Sequence, residues 1–299
     1  MSINTQVQSV SAFSRKLEDY KLLVKFRLNV FVVFSAVIAY LVVSGGDFKW
    51  QSLVFLALGG FLVTGAANAL NEVLEKDYDK LMKRTAVRPL PDGRMSISEA
   101  VLAAGFMAVV GLFILALFNP LTSVLGSLAI ISYAFIYTPL KRHSPIAVVV
   151  GAIPGALPVL IGSVAFIGGL TLEALVLFGI QFFWQFPHFW AIAWVANEDY
   201  KKAGYKLIPQ NADGTPDPII GKQSFIYTLM QLPLFYLAME IGMVGIIGFI
   251  LLTVSALAYA YLGWVLYKKA DKASAMRLMF SSFLYLPLVL FILLISVFA

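Results

Sequence analysis

Ser52-Leu-Val-Phe-Leu-Ala-Leu-Gly-Gly-Phe-Leu-Val-Thr64-Gly-Ala-Ala-Asn68-Ala-Leu-Asn71-Glu72-Val-Leu-Glu75-Lys76-Asp77-Tyr78-Asp79 carries an apolar run into a string of amides and carboxylates without a turn signal. At about 1.5 Å per residue, the apolar part of 51–74 is long enough to cross a hydrocarbon core of roughly 30 Å. Spanning backbone must satisfy its own hydrogen bonds, so the segment is expected to be a helix whose polar end emerges at one membrane face.

The same pattern recurs along the chain. Apolar segments stand at 22–44, 98–118, 120–139, 146–168, 171–196, 224–241, 242–267 and 275–298, which with 51–74 predicts about nine transmembrane helices. Hydrophobic residues make up 60% of the chain and charged residues 13%, about half the charge of a soluble domain. No ten-residue alternation of a membrane barrel is present. The expected architecture is an all-α polytopic membrane bundle forming a single domain over 1–299, which begins with a polar cytoplasmic segment at 1–20. That segment has no short apolar stretch or small-residue cleavage site, so a cleaved signal peptide is not expected. The absence of cysteine excludes disulfides, thiolate metal sites and cysteine nucleophiles.

Charge sets the expected orientation. Of the 22 Lys and Arg residues, all but Lys49 fall on one side of the predicted helices. The positive-inside rule then places the N-terminus in the cytoplasm and, for nine crossings, the C-terminus outside. The net charge of +6 is thus a topological signal rather than a nucleic-acid footprint. The two long loops, about 75–97 and 197–223, are both cytoplasmic, and loops of that length in a compact bundle are usually functional.

On a helix of about 100° per residue, Asn68, Asn71, Glu75 and Asp79 share an arc of roughly 80°. Carboxylates near bilayer depth are costly and normally face the bundle interior. Their oxygens are the hard ligands that Mg²⁺ takes together with substrate phosphates. Lys83, Arg84, Arg88 and Arg94 follow at once, and arginine forks match phosphate oxygens. Asp77 points away from the stripe. In 171–196, Gln181, Trp184, Gln185 and His188 share a face, with Asp199 in line were the helix to continue past Pro187, where a kink is expected. Asn197, Glu198 and Asp199 could supply a second metal site. Lys141 and Arg142 close the fourth apolar segment. Gly151, Pro154, Gly155, Pro158 and Gly162 loosen the fifth, as beside a cavity.

These motifs together resemble the UbiA prenyltransferases over roughly 20–295. The family's Asn-x3-Asp-x3-Asp signature is matched by Asn71, Glu75 and Asp79, with Glu in the middle. The Lys-Arg-Thr…Arg-Pro-Leu-Pro-x-Gly-Arg run at 83–94, Tyr137–Arg142, Trp184-Gln-Phe-Pro-His-Phe-Trp190 and Asp199-Tyr-Lys-Lys-Ala-Gly204 are similar to the heme-farnesylating branch. The resemblance implies an Mg²⁺-dependent intramembrane enzyme of the cell inner membrane, with its active site on the cytoplasmic side. It would transfer the farnesyl group of farnesyl diphosphate to a vinyl group of heme b, and associate with heme A synthase or terminal oxidase assembly. It also implies roles for the residues. Asn71, Glu75, Asp79, Glu198 and Asp199 would hold metal. Lys83, Arg84, Arg88, Lys141 and Arg142 would bind diphosphate, and His188, Gln185 and Trp184 would contact heme. Two departures stand out: the acidic motif after the sixth helix is sparse, and Phe26 replaces a proline common in relatives, which is expected to straighten the start of the first span. The rival readings are a prenyltransferase of an aromatic or quinone precursor and, remotely, an ion or metabolite transporter.

Overall fold

A computed structural model of the chain describes residues 12–298; the first part of the polar N-terminal segment, 1–11, lies outside them. Every element named below is helical. Helix α1 (Ala12–Leu23) precedes α2 (Phe26–Ser44) and α3 (Trp50–Asp79). Helix α4 (Ile97–Ala116) leads to α5 (Pro120–Ile131), which continues through a π-helical stretch, Ser132–Tyr137, into a last turn, α6 (Thr138–Leu140). Then follow α7 (Ala147–Ile167), α8 (Leu172–Val195), the short α9 (Asn197–Lys202), α10 (Ile219–Leu229), α11 (Leu232–Glu240), α12 (Ile246–Lys269) and α13 (Lys272–Phe298).

Eight of these spans are long and apolar enough to cross a membrane. The expected segment at 224–241 is instead two half-helices, α10 and α11, broken at Met230 and Gln231. Pro233 lies in the first turn of α11 and has no N–H to continue an earlier helix. Counting the pair as one crossing gives nine among the described residues. Large apolar side chains such as Phe31, Leu102, Phe106, Val109 and Leu284 lie exposed on the outside, which suits lipid contact.

Helix α7 is the most enclosed span, with most of its residues buried. Its small residues explain this. A Cβ on Gly162 would stand 2.0 Å from the Ala36 carbonyl oxygen of α2, so only glycine permits the crossing at that distance. Short links join the helices on the face away from the acidic end of α3, with Gly45 and Gly168 supplying left-handed caps. Ser96 and Asn119 cap α4 and α5 by accepting from Glu99 N and Thr122 N.

The first span departs from expectation. Phe26 does not straighten it: the chain turns at Lys25, which adopts left-handed backbone angles (φ 49°, ψ 56°), and α1 forms a separate helix. Lys16 and Tyr20 of α1 reach Glu99, and Asp19 accepts from Arg94, which ties α1 to the start of α4 and its preceding loop.

Candidate active site

The polar end of α3 is buried rather than splayed into solvent. Asn71, Glu72, Glu75 and Asp79 are all enclosed, because the loop 80–96 folds back over them. Leu90 and Met95 anchor that loop in a small core with Leu23 and Ala100. Thr85 donates to the Asp79 carbonyl at 2.8 Å, which turns the chain so that Arg88 points inward.

Three cations meet this face. Lys25 donates to Asn71 Oδ1 at 2.6 Å, and Lys141 to Glu75 Oε1 at 2.7 Å. Arg88 donates to Asp79 Oδ2 at 2.7 Å while its Nε lies 3.3 Å from Glu72 Oε1. Asn71 in turn donates to Thr138 Oγ1 at 2.9 Å, which bonds back to the Tyr133 carbonyl. The Thr138 N–H reaches the same carbonyl and closes the π-helical stretch, a feature that commonly marks functional sites. The stretch brings Tyr133 and Tyr137 toward the cluster, with Lys141 4.7 Å from the Tyr137 ring centroid and 5.6 Å from that of Tyr205.

The charges tune one another. Burial lowers the Lys25 ammonium to about 7, with the positive charges of Arg88 and Lys141 adding to the effect. For Lys141 burial is the largest influence and opposes the charge, but Glu75 together with Tyr133 and Tyr200 outweighs it and the ammonium is raised. Arg88 is likewise raised by Glu72 and Asp79 against its burial.

Below the cluster lies an apolar cavity of about 450 Å³, within the range of small-molecule sites. Asn68, Tyr133 and Tyr137 are among its lining residues, as are Gln181, Trp184, Gln185 and His188 of α8. Helix α8 runs on through Pro187, so these four keep one face, but it ends at Ala196 and Asp199 belongs to α9. Gln181 and Gln185 donate to the Gly155 and Ala152 carbonyls of the proline-bearing α7. His188 contacts Ser282 Oγ through Nδ1 at 2.7 Å and stacks on Trp184 at 4.6 Å between centroids.

The expected site residues therefore separate into groups. Asn71, Glu75, Asp79, Arg88 and Lys141 form one connected cluster, and Trp184, Gln185 and His188 face the cavity. Lys83 and Arg84 are exposed on the loop and make no ion pair among the described residues. Arg142 lies 4.1 Å over the Tyr78 ring and bonds its hydroxyl, away from the carboxylates. Glu198 is 81% exposed and pairs with Lys201, while Asp199 pairs with Lys202. Neither is joined by a hydrogen bond or ion pair to the α3 carboxylates. Asn197 instead accepts from Gln210 at 2.9 Å and fixes the following loop. No group of three His, Cys, Asp or Glu positioned for a metal occurs among the described residues; an oxygen set here would combine Asn71 with carboxylates. Asp77 is exposed and pairs with Lys80.

Two members escaped the sequence reading. Lys25 counted there only as a positive-inside charge. Glu72 is 0% exposed and neither carboxylate oxygen has a hydrogen-bond partner. Its signal was present: seven residues before Asp79, it lies only about 20° from that residue on the helical wheel.

Fold and site define an all-α integral-membrane protein whose buried acid–base cluster adjoins an apolar cavity through Asn68, Tyr133 and Tyr137. The profile of the UbiA prenyltransferase family matches residues 32–286. The protoheme IX farnesyltransferase of Cytophaga hutchinsonii is 44% identical over 92% of this chain and 96% of its own length. That of Christiangramia forsetii is 40% identical over 95% and 94%. Among solved structures, one described for digeranylgeranylglyceryl phosphate synthase shares the fold with a TM-score of 0.78, at 18% identity over 95% of this chain and 99% of that one. A UbiA homolog from Archaeoglobus fulgidus bound to GPP and Mg²⁺ gives 0.66 at 17% identity, over 92% and 99%. The chain belongs to the UbiA prenyltransferase family.

Proposed function

We propose that this protein transfers the farnesyl group of farnesyl diphosphate to a vinyl group of heme b within the cell inner membrane, with the charged cluster facing the cytoplasm. The observation that carries the reading is the stacking of the two halves of the site. Lys25, Arg88 and Lys141 gather with oxygen donors next to Tyr133 and Tyr137, which line an apolar cavity whose wall presents His188. The names of the two bacterial relatives point to the same acceptor.

The donor set fits Mg²⁺. Asn71, Glu75 and Asp79 offer hard oxygens, and the adjacent Glu72 carboxylate is buried without hydrogen bonds. Asn71, Glu75 and Asp79 would hold the ion, which when bound supplies positive charge against the diphosphate. Arg88 and Lys141 bind phosphate oxygens and stabilise the charge that grows as the C1–O bond of the farnesyl group breaks. The apolar wall keeps water from the allylic cation until C1 bonds the vinyl carbon. Water then adds to the neighbouring carbon and releases a proton, leaving a hydroxyethylfarnesyl substituent. His188, through Nε2 facing the cavity, ligates the porphyrin iron, and Gln185 and Trp184 flank the ring.

The test is transfer of labelled farnesyl from its diphosphate to heme b in membranes with Mg²⁺, wild type against Asp79→Ala. A labelled, more hydrophobic heme made only by the wild type supports the reading. Label in a quinone precursor, or in no acceptor at all, overturns it.

A further inference from the structure

Ser282 of α13 is fully buried against His188 and, unlike it, does not line the cavity. Its hydroxyl meets the Met279 carbonyl and His188 Nδ1, the latter at 2.7 Å, and the Tyr259 hydroxyl approaches it as a further donor to its second lone pair. A carbonyl only accepts, and a serine has one proton to give. That proton goes to Met279, so the serine oxygen accepts from His188 and Nδ1 must carry the hydrogen. The neutral ring then has its lone pair on Nε2, which has no hydrogen-bond partner among the described residues. The ring plane is held as well. Trp184 stacks on one face at an interplanar angle of 19°, its own Nε1 anchored to the Ser282 carbonyl at 3.1 Å, and Phe283 meets the ring edge-on at 5.2 Å.

We infer that Ser282 is a positioning residue for the acceptor site: by accepting from Nδ1 it fixes the His188 tautomer and aims the Nε2 lone pair into the cavity as an axial ligand for porphyrin iron. The inference rests on heme b being the acceptor. Outer hydrogen-bond partners of this kind fix the orientation of a ligating imidazole and raise its basicity, and their loss typically weakens metal binding about 10- to 100-fold.

The experiment uses the full chain in detergent with heme b. Heme affinity is titrated, and the iron–imidazole stretching band of the ferrous complex is recorded by resonance Raman spectroscopy. Ser282→Ala is expected to weaken heme binding at least about tenfold and to shift the band. Ser282→Thr, which keeps the hydroxyl, restores both, and affinity for farnesyl diphosphate is unchanged in each. If Ser282→Ala loses diphosphate binding and so fails to fold, Ser282→Cys, similar in size but a poor acceptor, carries the same expectation. A wild-type band and affinity in the Ala or Cys variant, or no rescue by Thr, overturns the role of Ser282. If wild type and His188→Ala give identical spectra without an iron–imidazole band, the histidine–heme reading itself falls.

Discussion

The Lys141 ammonium donates to the Glu75 carboxylate at 2.7 Å, joining the end of the fourth crossing to the end of the second across 66 residues. Both side chains are nearly enclosed, at 10% and 7% exposure. Removing one partner of a buried pair strands the other charge and costs about 3–5 kcal/mol. Lys141→Met is therefore expected to lower thermal stability sharply in detergent and abolish transfer. The double variant Lys141→Met with Glu75→Gln should recover most of the melting temperature and none of the activity. Recovery of activity in the double variant would remove Lys141 from the diphosphate site.

Glu72 pairs with the Arg88 Nε while Asp79 takes its Nη1, and neither Glu72 oxygen gains a hydrogen bond. Glu72→Gln leaves the shape intact and strips one negative charge from a cluster that receives an anion. Stability should hold or rise, and farnesyl diphosphate should bind more tightly by about 1 kcal/mol, roughly fivefold. Isothermal titration decides this. Weaker binding would mean that the carboxylate itself takes part in holding the metal.

Lys25 holds a left-handed backbone that costs a side-chain-bearing residue about 1–2 kcal/mol. Glycine relieves that strain but forfeits the bond to Asn71. Lys25→Gly should accordingly melt within a few degrees of wild type, while the KM for farnesyl diphosphate rises about tenfold or more, the loss of a charge-assisted contact. An unchanged KM would restrict Lys25 to topology.

Two glycines of α7 offer a paired comparison. A Cβ on Gly155 would meet the Gln185 side chain, which can swing aside into the cavity, whereas one on Gly162 would meet the backbone carbonyl of Ala36. Gly162→Ala should destabilise by at least the 1–3 kcal/mol typical of overpacking, and Gly155→Ala by less. The second change should instead raise the KM for the acceptor. Thermal melts and acceptor titrations of both variants read the difference directly.

Periodicity and hydropathy made the spans legible, because lipid leaves a spanning chain few alternatives to apolar helices. The break at Gln231 was not legible. Pro233 alone is compatible with a kink, and only the packed structure shows Gln231 accepting from Tyr285 in the interior. Within the site, Asn71, Glu75 and Asp79 could be read from spacing along one helix. Lys25 and Ser282 could not: each reaches the site from another helix, and a single sequence does not say which turns face each other. Glu198 and Asp199 were placed by sequence beside a second metal site, and in the structure they pair along α9 with Lys201 and Lys202.

The cavity is not sealed by protein alone. Leu28 and Phe31 on α2 and Phe283 on α13 belong both to its lining and to the exposed outer surface, which leaves a side opening in the bilayer plane. A substrate with a long hydrocarbon tail meets such an opening by diffusing in two dimensions. Turnover should then follow the substrate's mole fraction in the lipid or detergent phase. Diluting a fixed amount of substrate with extra lipid, at constant aqueous volume, should slow the enzyme as though substrate had been withdrawn.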